Sequence, residues 1–153
     1  MKVLGIDPGY ERCGYAIMDG DALMNYGVIT TPKRLPFIER LAEIETDIQA
    51  LITAHKPDLL AIEDLYFVQN ITTGLKVSAV RGVIMLAAHK ARMHVTEPKP
   101  TEIKKAFTGN GKADKHQIMQ TAQILFGQNR TLTDDAADAI AVAFYGSNAR
   151  FLV

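Results

Sequence analysis

Met1-Lys2-Val3-Leu4-Gly5-Ile6-Asp7-Pro8-Gly9 opens the chain with an apolar run that stops on an acid and a turn signal. The run predicts a strand, and Pro8-Gly9 takes the chain out of the sheet just past Asp7. Working outward, residues 13–18 and 22–30 read as two further strands separated by Asp19-Gly20. Pro32 to Pro36 is a connection. Phe37, Leu41, Ile44, Ile48, Leu51 and Ile52 then recur at helical spacing and end near Lys56-Pro57. Residues 58–63 predict a fourth strand, 70–91 a long helix and 93–97 a short fifth strand. Helices follow near 101–107, at 114–126 and over about 133–149, the first two joined by Thr108-Gly109-Asn110-Gly111-Lys112. Three consecutive strands followed by alternating helix and strand predict an α/β fold, a five-stranded mixed β-sheet flanked by α-helices.

Bulk properties limit what such a chain can be. At 153 residues and 48% hydrophobic, it is large enough for one cored domain spanning 1–153. A single cysteine, Cys13, leaves no internal disulfide and fits a reducing compartment. The N-terminal apolar run is too short for a signal peptide. The longest apolar stretch, 75–91, contains Lys76, Ser78, Arg81 and Lys90, which argues against a membrane span. A cytoplasmic protein without a membrane partner is expected.

Net charge is zero, but its distribution is uneven. Residues 1–80 hold 7 Lys and Arg against 11 Asp and Glu, whereas residues 81–130 hold 9 against 3. An acidic site beside a basic middle segment suits a phosphodiester substrate, whose backbone must be attracted while metal ligands stay anionic. A solvated basic face is the plain alternative.

Four carboxylates carry the chemistry. Asp7 closes the first strand, and Glu63 closes the run Leu59-Leu60-Ala61-Ile62. Asp135 and Asp138 are three apart in Asp134-Asp135-Ala136-Ala137-Asp138-Ala139-Ile140-Ala141, a spacing that points both the same way from a helix. Taken singly, Asp7 could be a turn-initiating residue and Asp134 and Asp135 could cap the helix. Asp138 lies among alanines that should pack close to the sheet, where an acid is costly. Clustered carboxylates repel one another and take up protons unless a cation neutralises them. All the donors are oxygens, and His55, His89, His94 and His116 show no paired metal spacing, so Mg²⁺ or Mn²⁺ is favoured over Zn²⁺. Two such ions could activate water and stabilise a leaving oxygen. No Ser/His/Asp or Cys/His arrangement competes, and Cys13 reads as a small strand residue.

Gly5-Ile6-Asp7-Pro8-Gly9, Ala61-Ile62-Glu63, Leu75-Lys76 with Arg81-Gly82, and Asp135-Ala136-Ala137-Asp138-Ala139 stand in the order and spacing of one family. The chain resembles the RuvC-type Holliday-junction resolvases of the RNase H-like superfamily along nearly its whole length. The resemblance implies an RNase H-like fold and a Mg²⁺-dependent homodimeric endonuclease that nicks two strands of a four-way DNA junction symmetrically. It implies Asp7, Glu63, Asp135 and Asp138 as metal ligands, and it admits a branch-migration motor complex as a further partner. It also places catalytic or DNA-contacting lysines at Lys104 and Lys115, and a base-stacking aromatic at Tyr66 with Phe67 as support. Lys115 has an independent case as a cation one turn into a helix after a flexible loop, well placed to meet a strained phosphate. Lys104, Lys105 and Lys112 are expected to position the DNA through phosphate contacts.

Gly74, Ser78 and Gly82 form a small-residue stripe on the long helix, with Val77, Val80, Ile84 and Ala88 on another side. Glycine inside a helix costs about 1 kcal/mol relative to alanine, which predicts close approach by another element, here a second subunit. Other readings stay open. Asp7-x-Gly9 with Gly14 also resembles the phosphate-binding opening of actin-like ATPases, which need two such lobes. A non-catalytic junction-binding protein would leave the four acids unexplained. A phage-type debranching nuclease with broader substrates fits the neutral overall charge, which departs from the usually basic family.

Overall fold

A computed structural model describes residues 1–65 and 69–149. The order is β1 (Lys2–Asp7), β2 (Arg12–Asp19), β3 (Ala22–Thr30), α1 (Phe37–His55), β4 (Leu59–Ile62), α2 (Ile71–Lys90), β5 (His94–Thr96), α3 (Pro100–Thr108), α4 (Lys115–Phe126) and α5 (Asp134–Asn148). Every expected element is present, with ends shifted by one or two residues. The fourth strand is confined to 59–62, and just before it the Asp58 carboxylate accepts from the Lys2 amide at 2.8 Å.

The strands lie in the order β3-β2-β1-β4-β5. β1 is antiparallel to β2 and parallel to β4, and β4 is parallel to β5, giving the expected mixed sheet. Side chains alternate across it. Leu4, Ile6, Ile17, Leu60 and Ile62 join Ile44, Ile48, Val80 and Ile84 under α1 and α2. Val3, Ala16, Met18, Leu59 and Ala61 join α3, α4 and α5 on the other face. Cys13 is fully buried and its thiol is pushed up to about 12, chiefly by burial, in keeping with an inert packing role.

α5 lies unusually close to the sheet. A Cβ on Gly5 would sit 2.4 Å from the Ala143 amide nitrogen, and one on Gly14 would sit 2.5 Å from the Asp135 carbonyl oxygen. Small residues on both sides make this possible: Ala136, Ala137, Ala139, Ala141 and Ala143 are all buried on the helix. α2 has a buried side at Gly74, Val80, Ile84, Ala87 and Ala88. By length and composition it could cross a membrane. Here its apolar surface is divided between packing on the core and an outward stripe at Ile71, Leu75 and Leu86.

Candidate active site

Asp7 and Glu63 become neighbours through the sheet register. β1 and β4 run parallel with Ile6 opposite Ile62, so the next residue of each strand is an acid at the same edge. The Glu63 amide donates to the Ile6 carbonyl at 3.2 Å, carrying the pairing one step past the strand. Asp7 continues the Val3–Gly5 side of β1, and Glu63 continues the Leu59–Ala61 side of β4, which is the side α5 covers.

The head of α5 supplies the other acids. Its cap is Thr133, whose hydroxyl accepts from the Ala136 amide at 3.3 Å, so Asp134 and Asp135 occupy the first turn and are not the cap. Asp138 lies one turn further in. Gly14, paired with Asp7 across β1 and β2, is the residue against which the Asp135 backbone rests. The same absence of a side chain that seats the helix thus brings its acids over Asp7.

The electrostatics are those of anions held together out of water. Desolvation pushes the Asp7 carboxyl from 3.8 to about 7, reinforced by Glu63 and Asp135 and opposed by Lys115. Glu63 raises Asp7 twice over, through its charge and through its carboxyl group acting as a hydrogen-bond partner. Glu63 is itself raised, first by desolvation and then by Asp138, with the Asp7 hydrogen bond and Lys104 acting the other way. Asp138 rises to about 6, again through desolvation first and then Asp7, opposed by Lys115. Several raised acids in one cleft mark a functional site. Their oxygens suit a hard divalent cation, which would replace the protons in holding the anions together.

Asp135 stands apart from this group in its contacts. Its Oδ2 accepts from Arg12 Nε at 2.8 Å and lies 2.6 Å from Nη2. Among the described residues no three His, Cys, Asp or Glu side chains are already arranged as a metal cage.

Lys104 and Lys115 enter the same cleft. They line a cavity of ≈ 200 Å³ together with Glu63, Asp138, Pro100 and Ile118. Lys115 is the first residue of α4, directly after the Asp114 cap, so it stands at the helix start and not a turn inside it. Lys105 and Lys112 are exposed and do not line the cavity. Tyr66 and Phe67 lie outside the described residues. Of the small-residue stripe, Ser78 and Gly82 face outward but Gly74 is buried. The exposed stripe of α2 instead runs Ile71, Leu75, Ser78, Gly82, Leu86. Sequence reasoning missed Arg12 and Arg81 as partners of the acids. Arg12 is 123 residues from Asp135, and no local pattern announces the pair.

A sheet of this order, with acids at the ends of adjacent parallel strands and at the head of a crossing helix, is the RNase H-like arrangement. A family model for the crossover junction endodeoxyribonuclease RuvC matches residues 3–145. The chain is 43% identical to the RuvC of Petrotoga mobilis, over 98% of this chain and 95% of that protein. It is 42% identical to the RuvC of Heliobacterium modesticaldum, over 94% and 91%. Thermus thermophilus RuvC in complex with Holliday junction substrate superposes with a TM-score of 0.87 at 26% identity, covering 95% of this chain and 92% of that one. The yeast mitochondrial Holliday junction resolvase shares the fold, with a TM-score of 0.66 at 14% identity, over 95% and 77%. The chain belongs to the RuvC family of crossover junction endodeoxyribonucleases.

Proposed function

We propose that this protein cuts four-way DNA junctions by hydrolysing two phosphodiesters placed symmetrically, in a Mg²⁺-dependent reaction that Mn²⁺ also supports. The observation that carries the reading is the convergence of Asp7, Glu63 and Asp138, each raised by desolvation and by its neighbours. With Asp135, whose side chain would leave Arg12, they provide the oxygen donors for two ions. The chemistry supplied when the ions are bound is activation of water and stabilisation of the departing oxygen.

The chain's own residues do the rest. The acids orient one another on a rigid sheet edge, so the site is aimed before DNA arrives. Lys115 already lowers Asp7 and Asp138, and in the complex its charge faces the scissile phosphate as negative charge builds up there. Lys104 acts beside Glu63 on the opposite wall. Lys105 and Lys112 extend the basic surface and hold the flanking backbone without reading bases. Tyr66, supported by Phe67, stacks on a base at the branch point, a contact that tolerates any base. Paired nicks need two equivalent sites, which a two-fold dimer through α2 provides. An enzyme of this kind works on DNA in the cytoplasm.

The reading is tested by mapping nicks on a synthetic four-way junction and on a linear duplex of the same sequence in Mg²⁺. Symmetric nicks in the junction and little cutting of the duplex are expected. Equal cutting of both would remove the resolvase reading while leaving a general nuclease.

A further inference from the structure

Arg81 lies on α2, yet its side chain leaves that helix for the active-site edge of the sheet, where it is only 11% exposed. Its Nε donates to the Glu63 carbonyl at 3.0 Å. Its Nη2 bonds the Glu97 carboxylate and stands 3.6 Å from Asp64 Oδ1. The same segment is fastened a second time by the Asp64 amide, which donates to the Pro98 carbonyl at 2.9 Å. One guanidinium therefore joins three pieces of chain: α2, the exit of β4 that carries Glu63, and the link from β5 to α3. Lys104 follows on α3, so the clamp sets both walls of the cleft that Glu63 and Lys104 share.

A salt bridge for stability alone does not call for this geometry. Exposed ion pairs contribute little, and Asp64 and Glu97 are both partly exposed. The specific feature is the bond to the Glu63 peptide itself, made by a planar donor that reaches a carbonyl and two carboxylates at once. A lysine ammonium, a single compact charge on a flexible stem, cannot span them. Resting on the reading of Glu63 as a metal ligand, we infer that Arg81 is a positioning residue. By fixing the Glu63 peptide against Glu97, it sets the direction in which the Glu63 carboxylate enters the site. Arg81 touches neither the reacting phosphate nor the ion.

Arg81→Lys tests this, with Glu97→Gln as a second variant and Glu63→Gln as a control. Mn²⁺ binding is measured by calorimetry on the full chain without DNA, alongside melting temperature in metal-free buffer and junction affinity in EDTA. Loss of a partner that orients a ligand weakens metal binding on the order of tenfold. Arg81→Lys and Glu97→Gln should each show that loss, with melting temperature and EDTA junction affinity near wild type. Because they break one clamp, the double variant should lose no more than either alone. Unchanged Mn²⁺ affinity in Arg81→Lys, with Glu63→Gln abolishing binding, would overturn the positioning role and leave the ligand reading intact. Unchanged binding in Glu63→Gln would overturn both. A collapsed melting temperature in both single variants would make the clamp purely structural and also overturn the proposal.

Discussion

Asp7 and Asp138 are held at about 7 and about 6, against 3.8 for an unburied Asp, because burial and neighbouring carboxylates (Glu63 for Asp7, Asp7 for Asp138) penalise ionisation. An acid raised in the folded state binds its proton more tightly there than in the unfolded chain. Stability of the metal-free protein should therefore fall as pH rises from about 4 through about 7. A divalent ion needs the ionised forms, so its stabilisation runs the other way. Melting curves in EDTA and in Mg²⁺ should converge toward about pH 4 and separate most above about pH 7. A Mg²⁺ shift independent of pH would contradict the site. The four acids stood out in the sequence as a set, because Asp138 among alanines has no plain structural role, whereas Asp7 and Asp135 taken singly do. Their partners did not stand out. Arg12 reaches Asp135 and Arg81 reaches Glu63 only because strands and helices distant in sequence meet in three dimensions.

At the scale of elements, the site depends on how closely α5 can approach β1 and β2. Gly14→Ala would place its Cβ 2.5 Å from the Asp135 carbonyl oxygen, a backbone atom that cannot turn aside. The first turn of α5 must lift, carrying Asp135 and Asp138 away from Asp7. We expect a stability loss of about 1–3 kcal/mol, as for other overpacked contacts. The junction-cleavage rate should fall further than that loss explains. Melting temperature and cleavage rate at saturating Mg²⁺ measure the two effects, and a stable Gly14→Ala that cuts normally would show that α5 need not sit so close. The elements themselves were readable because period-two and period-3.6 apolar patterns rarely overlap here. The ends were less so: Asp58 looks like part of a strand but lies just before it, and Asp134 looks like a cap although Thr133 is the residue that accepts from the Ala136 amide.

For the whole molecule, α2 divides its surface between the core and an outward stripe of Ile71, Leu75 and Leu86, which are 78%, 68% and 52% exposed. Apolar residues this exposed on one helix face fit a subunit interface. Leu75→Glu should shift the protein from dimer to monomer in analytical ultracentrifugation. Its nicks should become single and unpaired, while a dimer that persists would place the interface elsewhere. Of the glycine stripe that singles out α2 in the sequence, Gly74 faces inward, because glycine spacing alone does not say which side of a helix is covered. In the proposed reaction the acids act as one metal-dependent cutting site, and Asp7 lies at its centre. Wild type and Asp7→Asn should be compared on a synthetic four-way junction in Mg²⁺, with binding and strand cleavage both followed. The wild type should release paired symmetric nicks, and Asp7→Asn should bind the junction without cutting it. Equal cleavage by the two proteins would contradict the site.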